Sequence, residues 1–209
     1  MRLNKIFSSH MVFAAQKPIK IYGSGAGKAE ITFAGQTNTV ISEDDNWIVK
    51  FPPMGYGGPY ELKAVFADSE VILEDIFVGE VYLFAGQSNM QFKIKESSAS
   101  NCAFDSNEKL RLFSTDRIEK TDYFTADDGW QVCKADEVKE WSAIAYFVSN
   151  EITKKDVAVG AVACYQGASV IESWVPKGTF EKLNINIPDD KKYPDHFHEF
   201  YGQWNADGQ

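Results

Sequence analysis

A chain of 209 residues, 44% apolar and 14% aromatic, suits one large or two small domains with a real core and excludes global disorder. Its formal net charge of −9 argues against nucleic acid or an anionic membrane as the main partner, and no apolar run reaches the length of a membrane span. Three cysteines, Cys102, Cys133 and Cys164, are odd in number and lack metal-ligand spacing, so they read as reduced or buried thiols. The opening M-R-L-N-K-I-F-S-S-H shows no secretory leader, so the expected location is the cytoplasm, with an exported, clipped form left open.

Residues 1–75 read as β throughout and are expected to form a small β-sandwich domain. Apolar and aromatic runs recur at 18–22, 29–33, 39–42, 47–51, 60–66 and 70–73, separated by clusters of turn residues. In the fourth run Trp47, Val49 and Phe51 alternate onto one face. The G-S-G-A-G-K stretch at 23–28 lacks the frame of a phosphate loop and no helical pattern follows it, so a hairpin turn is expected. His10, beside an apolar segment, reads as structural.

From Ile76 to Gln209 the pattern changes to alternating strands and helices, expected to form part of a second, α/β domain. The run Ile76–Phe84 predicts a buried strand that ends in the small-residue turn Ala85-Gly86-Gln87 and delivers Ser88 to its carboxyl end, where ligands of open α/β sheets sit. Spacing alone leaves Ser88 as a nucleophile or, the more frequent role, a helix cap. A polar stretch follows, then a short strand at Leu110–Phe113 and an acidic excursion at 116–128. The clearest helix is Trp141–Lys154, with Trp141, Ile144, Ala145, Val148 and Ile152 at helical spacing. The apolar run Val157–Cys164 predicts a strand buried on both faces, and it too ends in a small-residue turn, Gln166-Gly167-Ala168-Ser169. Two such strands with a helix between them predict a parallel sheet with one site at its carboxyl edge.

Glu80-Val81-Tyr82-Leu83 followed by Gly86-Gln87-Ser88-Asn89-Met90 resembles the G-[DE]-V-W-L-x-x-G-Q-S-N-M signature of sialate O-acetylesterase-like carbohydrate esterases, within the serine-dependent SGNH hydrolases. Further matches fall in the family's order. They are the opening segment at 7–13, Asp45-Asn46-Trp47, Phe51-Pro52-Pro53-Met54, Gly57-Gly58-Pro59-Tyr60-Glu61-Leu62, Trp141 to Phe147, and Gly167 to Trp174. The resemblance implies a β-sandwich followed by a flavodoxin-like parallel α/β/α sheet. It implies hydrolysis of acetyl esters on sugars without metal or organic cofactor.

On matching positions the resemblance makes Ser88 the nucleophile and the Ser88 and Gly167 N–H groups the oxyanion donors. Gln87, Asn89 and Glu172 would support the site or bind substrate, with Gln87 and Asn89 pinning the turn. The family's second turn glycine is Ala168 here, and its threonine is Ser169. The family's base lies in an Asp-x-x-His-like segment after a W-Y-Q-G-E-x-N-like one. Asp195-His196-Phe197-His198 offers a literal match, with His198 as base and Asp195 as its partner. Its polar surroundings favour a loop histidine, so the expectation is an incomplete α/β domain whose final strands and base segment are missing. The same histidines are weaker as metal ligands. The expected partner is an acetylated glycan. Self-association or a complementing chain would complete the sheet. A non-catalytic carbohydrate-binding module is the alternative.

Overall fold

A computed structural model describes residues 1–115, 129–169, 174 and 179–185. Its elements are β1 (Arg2–Leu3), β2 (Val12–Ala14), β3 (Ile19–Ser24), β4 (Gly27–Phe33), β5 (Gln36–Ser42), β6 (Asn46–Phe51), β7 (Gly57–Val65) and β8 (Glu70–Gly86). They continue with α1 (Ser88–Gln91), β9 (Asn107–Ser114), β10 (Trp130–Cys133), α2 (Ala143–Thr153), β11 (Val159–Tyr165) and α3 (Thr179–Lys182). The architecture is mostly β, with a three-stranded antiparallel sheet β1-β3-β6 and an eight-stranded mixed sheet. Along the larger sheet the order is β10-β9-β11-β8-β7-β4-β5, with β2 also paired to β8.

The sequence pattern predicts a balanced α/β half, whereas α2 is the one helix longer than four residues among those described. β8 is a single strand from Glu70 to Gly86, so the expected 75/76 boundary falls inside it. Its first half pairs antiparallel with β7, and its second half pairs parallel with β11 from Glu80 to Gly86. The 70–73 and 76–84 runs read as two because Glu74 and Asp75 interrupt the apolar pattern. Asp75 has a left-handed φ of 55°, and the strand passes through it.

The 23–28 stretch is not a hairpin, because β3 and β4 belong to different sheets and the chain crosses from one to the other there. The hairpin lies one strand later. Ala34 and Gly35, both at positive φ, close a two-residue loop between the paired residues Phe33 and Gln36. Local sequence marks a turn, but which strands it joins depends on partners far along the chain.

The space between the two sheets of the first half is filled by Ile21, Ile31, Phe33, Trp47, Val49, Phe51, Leu62 and Ile76. The Trp47, Val49, Phe51 face expected from alternation is the inward one. A second core gathers Phe84, Leu110, Leu112, Ala161 and Ala163 beneath Ala145 and Tyr146 of α2. Ser142 caps that helix by accepting a hydrogen bond from Ala145 N–H at 3.2 Å. The buried stripe of α2 is Ala145, Tyr146, Ser149 and Thr153, and the predicted stripe members Ile144 and Val148 face outward. The helix is turned by about one position because Tyr146 packs edge-on against Phe104, and Ala145 allows close approach to the small residues of β11.

Parallel pairing unites β8, β11 and β9, with β11 in the middle. A flavodoxin-like order would put the first of three such strands between the other two. Here β9 leaves the lane beside β8 open, and β11 fills it. The expected two-sided burial of Ile76–Phe84 fails toward its end, where Leu83 is 66% exposed. An ionic cluster around one buried arginine links β9 to the first half of β8. Arg111 of β9, 2% exposed, donates to Asp75 Oδ2 at 2.7 Å and lies over the Phe77 ring. His10 Nδ1 meets the same carboxylate oxygen at 2.7 Å.

Candidate active site

At the carboxyl ends of β8 and β11 two small-residue turns lie side by side. Tyr165 pairs with Gly86, and Gln166 N–H donates to Gly86 O at 2.9 Å, so the strands hold the turns in register. Gly86 has φ of 150°, a conformation that side-chain-bearing residues rarely adopt, which explains glycine at the corner before Ser88. Ser88 opens α1 and is exposed.

Gln87 hydrogen-bonds within this corner. Its Oε1 accepts from Ser88 N–H at 3.0 Å and from the Ser88 hydroxyl at 2.7 Å. Asn89 is exposed in the following position of α1. The second turn comes within reach of the first: a Cβ built on Gly167 would stand 3.9 Å from Ser88 Cα. Ser88 and Gly167, singled out from separate stretches of sequence, are therefore neighbours. Ala168 takes a left-handed φ of 63°, where a residue with a Cβ loses about 1 kcal/mol. A glycine, which the sequence resemblance places here, would not. Ser169 ties the turn down by donating to Gln166 O at 2.7 Å and accepting from the half-buried Trp174 indole at 2.8 Å.

Sequence reasoning missed Gln91. Its Oε1 accepts from Gly167 N–H at 2.7 Å and so bridges α1 to the second turn. The signal was faint: Gln91 lies three residues past Ser88, one helical turn on, in a position with no apolar or charged marker. Gln91 also borders an open cleft of about 510 Å³ that runs past Thr115, Trp141 and Tyr165. At its rim the Glu140 carboxylate accepts hydrogen bonds from Lys95 and Lys93. These bonds hold its pKa below the ordinary carboxylate value.

Glu172, Asp195 and His198 lie outside the described residues. An Asp–His pair is present elsewhere, His10 with Asp75, but it serves the buried arginine. An extended strand rises about 3.3 Å per residue, so the stretch of β8 from Asp75 to Gly86 puts that pair roughly 35 Å from the Ser88 corner. It cannot take the serine's proton. Among the described residues no group of three or more His, Cys, Asp or Glu side chains is arranged to hold a metal ion.

No protein-family model matches the chain. It is 25% identical over 163 residues to the sialate O-acetylesterase of Homo sapiens, a match covering 68% of this chain and 31% of that protein. To the Mus musculus sialate O-acetylesterase it is 26% identical over 194 residues, covering 79% and 35%. The chain thus spans about a third of the length of the curated relatives it matches. The crystal structure of a carbohydrate acetylesterase from Xanthomonas citri aligns with a TM-score of 0.77 and 24% identity, over 90% of this chain and 46% of that one. At this identity the structural likeness speaks for the fold.

Proposed function

We propose that this distant relative of the sialate O-acetylesterases carries the nucleophile side of a carbohydrate O-acetylesterase site, at the carboxyl ends of its parallel strands. The observation that supports this reading best is the juxtaposition of the exposed Ser88 with the Gly167 turn at the carboxyl ends of two parallel strands. In such a site the Ser88 hydroxyl attacks the acetyl carbonyl, and the ester carbonyl oxygen becomes a tetrahedral oxyanion. The N–H groups of Ser88 and Gly167 would stabilise that charge. The sugar leaves as its alcohol, and water then releases acetate from the acyl-serine.

A serine hydroxyl needs a base, and His10, the one histidine among the described residues, is out of reach. His198, partnered by Asp195, is the candidate in this sequence, and Glu172 would support the second turn. If His198 is not the base, turnover by this chain falls several orders of magnitude below that of a complete esterase. Hydrolysis of p-nitrophenyl acetate tests the reading, with wild type, Ser88→Ala and His198→Ala compared as folded proteins. The expected result is hydrolysis that Ser88→Ala abolishes. Equal rates for wild type and Ser88→Ala overturn it. A parallel loss in His198→Ala identifies the base.

A second reading, glycan binding without catalysis, draws on an open groove of about 490 Å³ on the β-rich half. It is lined by Tyr22, Ile41 and Ile48, all of them exposed. Because β8 runs through the 75/76 position, this is best tested in the whole chain. Retardation in a xylan-containing gel that Tyr22→Ala removes would favour it. Self-association or a complementing chain would use the edge of β8 opposite β11. Over residues 80–86 that edge has no strand partner among the described residues. Sedimentation velocity showing a monomer at all concentrations would exclude self-association.

A further inference from the structure

Both N–H groups of the candidate oxyanion site are already occupied by glutamine side chains. Gln87 Oε1 accepts from Ser88 N–H at 3.0 Å, and Gln91 Oε1 accepts from Gly167 N–H at 2.7 Å. A main-chain N–H can only donate, so the atom facing each of them is the amide oxygen. An amide oxygen belongs to the same chemical class as the acyl oxygen of an ester. Gln87 is bound to its own neighbour and caps α1, which accounts for its place. Gln91 reaches across from α1 to a turn 76 residues further on. A Cβ on Gly167 would stand 2.6 Å from Gln91 Oε1, so only glycine lets the amide oxygen approach this closely. The amide also borders the open cleft, which gives it room to swing aside.

We propose that Gln91 is a positioning residue that keeps the Gly167 N–H filled with a substitute carbonyl oxygen until the acyl or carboxylate oxygen of a ligand displaces it. This rests on the esterase reading above. Exchanging one neutral carbonyl for another changes little in hydrogen-bond energy, so the glutamine competes with a bound ester in the ground state. An oxyanion accepts a stronger, charge-assisted bond and wins that competition. In the empty site Gln91 gives the Gly167 N–H, in a half-buried turn, a fixed acceptor. Its cost is weaker apparent binding, because the ligand meets a competent site only in the fraction of molecules whose glutamine has moved.

The test is a sodium acetate titration of the ¹⁵N-labelled 209-residue chain, following the Gly167 amide resonance in wild type, Gln91→Ala and Gln91→Glu. Removing the competitor should tighten apparent acetate binding about threefold or more in Gln91→Ala. Gln91→Glu, whose carboxylate holds the same N–H more strongly, should lose the acetate response at Gly167. Where turnover is measurable, kcat/KM for p-nitrophenyl acetate rises in Gln91→Ala. Unchanged or weaker acetate binding in Gln91→Ala, or an unaltered response in Gln91→Glu, overturns the proposal. A merely structural staple would lower the Tm of Gln91→Ala and leave acetate affinity where it was. Acetate binding needs no turnover, so failure here with Ser88-dependent hydrolysis intact counts against Gln91 alone. Absence of Ser88-dependent hydrolysis counts against the esterase reading.

Discussion

The β-rich half and the parallel end of the large sheet use similar apolar content in opposite ways. In the first half two sheets face each other, and the large side chains, Phe33 and Trp47 among them, are enclosed between them. At the parallel end α2 covers one face over β9 and β11, and Leu83 near the end of β8 stays open, as do Ile144, Phe147 and Val148 on the outer side of the helix. Burial on two sides makes the first half a scaffold. Among the described residues the end of β8 is covered on one side, and that is where Ser88 stands. The Ser88 and Gly167 turns therefore occupy the less enclosed part of the described structure, on strands anchored in the more enclosed part.

The largest effect that would sharpen this contrast comes from paired truncations. Phe33→Ala, at a site 1% exposed, should cost about 4 kcal/mol in urea unfolding, whereas Leu83→Ser should cost under about 0.5 kcal/mol. Comparable losses in the two variants would show that the end of β8 is enclosed in solution.

Asp75 links the first half of β8 to β9, so its removal should be felt by both. Asp75→Ala leaves the Arg111 guanidinium buried without its carboxylate and should cost about 3 kcal/mol, while His10→Ala, on the half-exposed side of the same pair, should cost under about 1 kcal/mol. Equal costs would mean that the arginine finds another partner.

Thiol chemistry grades the same contrast without mutation. Burial raises the Cys133 thiol to about 11 and also raises Cys164, while Cys102 is exposed. With a thiol reagent at pH 8, Cys102 should react fast, the half-buried Cys164 slowly and Cys133 only after unfolding. Three fast thiols would show that the second core opens readily.

The smallest effect is expected at the rim of the cleft. Hydrogen bonds from Lys95 and Lys93 lower the Glu140 pKa in the folded chain. Its contribution to stability is therefore present above the ordinary carboxylate pKa and lost as pH falls through the depressed folded value. All three side chains are substantially exposed, so solvent and salt screen the pair, and the effect is small. Glu140→Gln should flatten the Tm-against-pH curve slightly in that acid range. A steeper curve would mean that another carboxylate dominates there.

Much of the framework is legible along the chain because strand periodicity and turn residues are local properties. The runs that became β3 to β7, the Leu110–Phe113 strand, α2 and β11 each carry their own pattern. Three things were not legible. β1, β2 and β10 are two to four residues long, too short for a period. The buried face of α2 turns by one position because Tyr146 and Ala145 fit what lies beneath them. The 23–28 turn joins two sheets rather than two neighbouring strands, since pairing is decided by distant residues. In the site Ser88 and Gln87 stood out through the turn pattern. Gln91 did not, because its role exists only when the turn at Gly167 arrives from 76 residues away.

By itself the sequence determined where the chain is extended, where it bends, and that a serine follows a glycine corner at the end of an apolar strand. These follow from alternation, from glycine's tolerance of unusual φ and from helix capping, each set within a few residues. Only the tertiary structure decided that β8 is one strand serving both halves, that β11 lies between β8 and β9, and that the Gly167 turn meets Ser88. Those outcomes depend on hydrogen bonds and packing between segments remote in sequence, which local preferences permit but do not select.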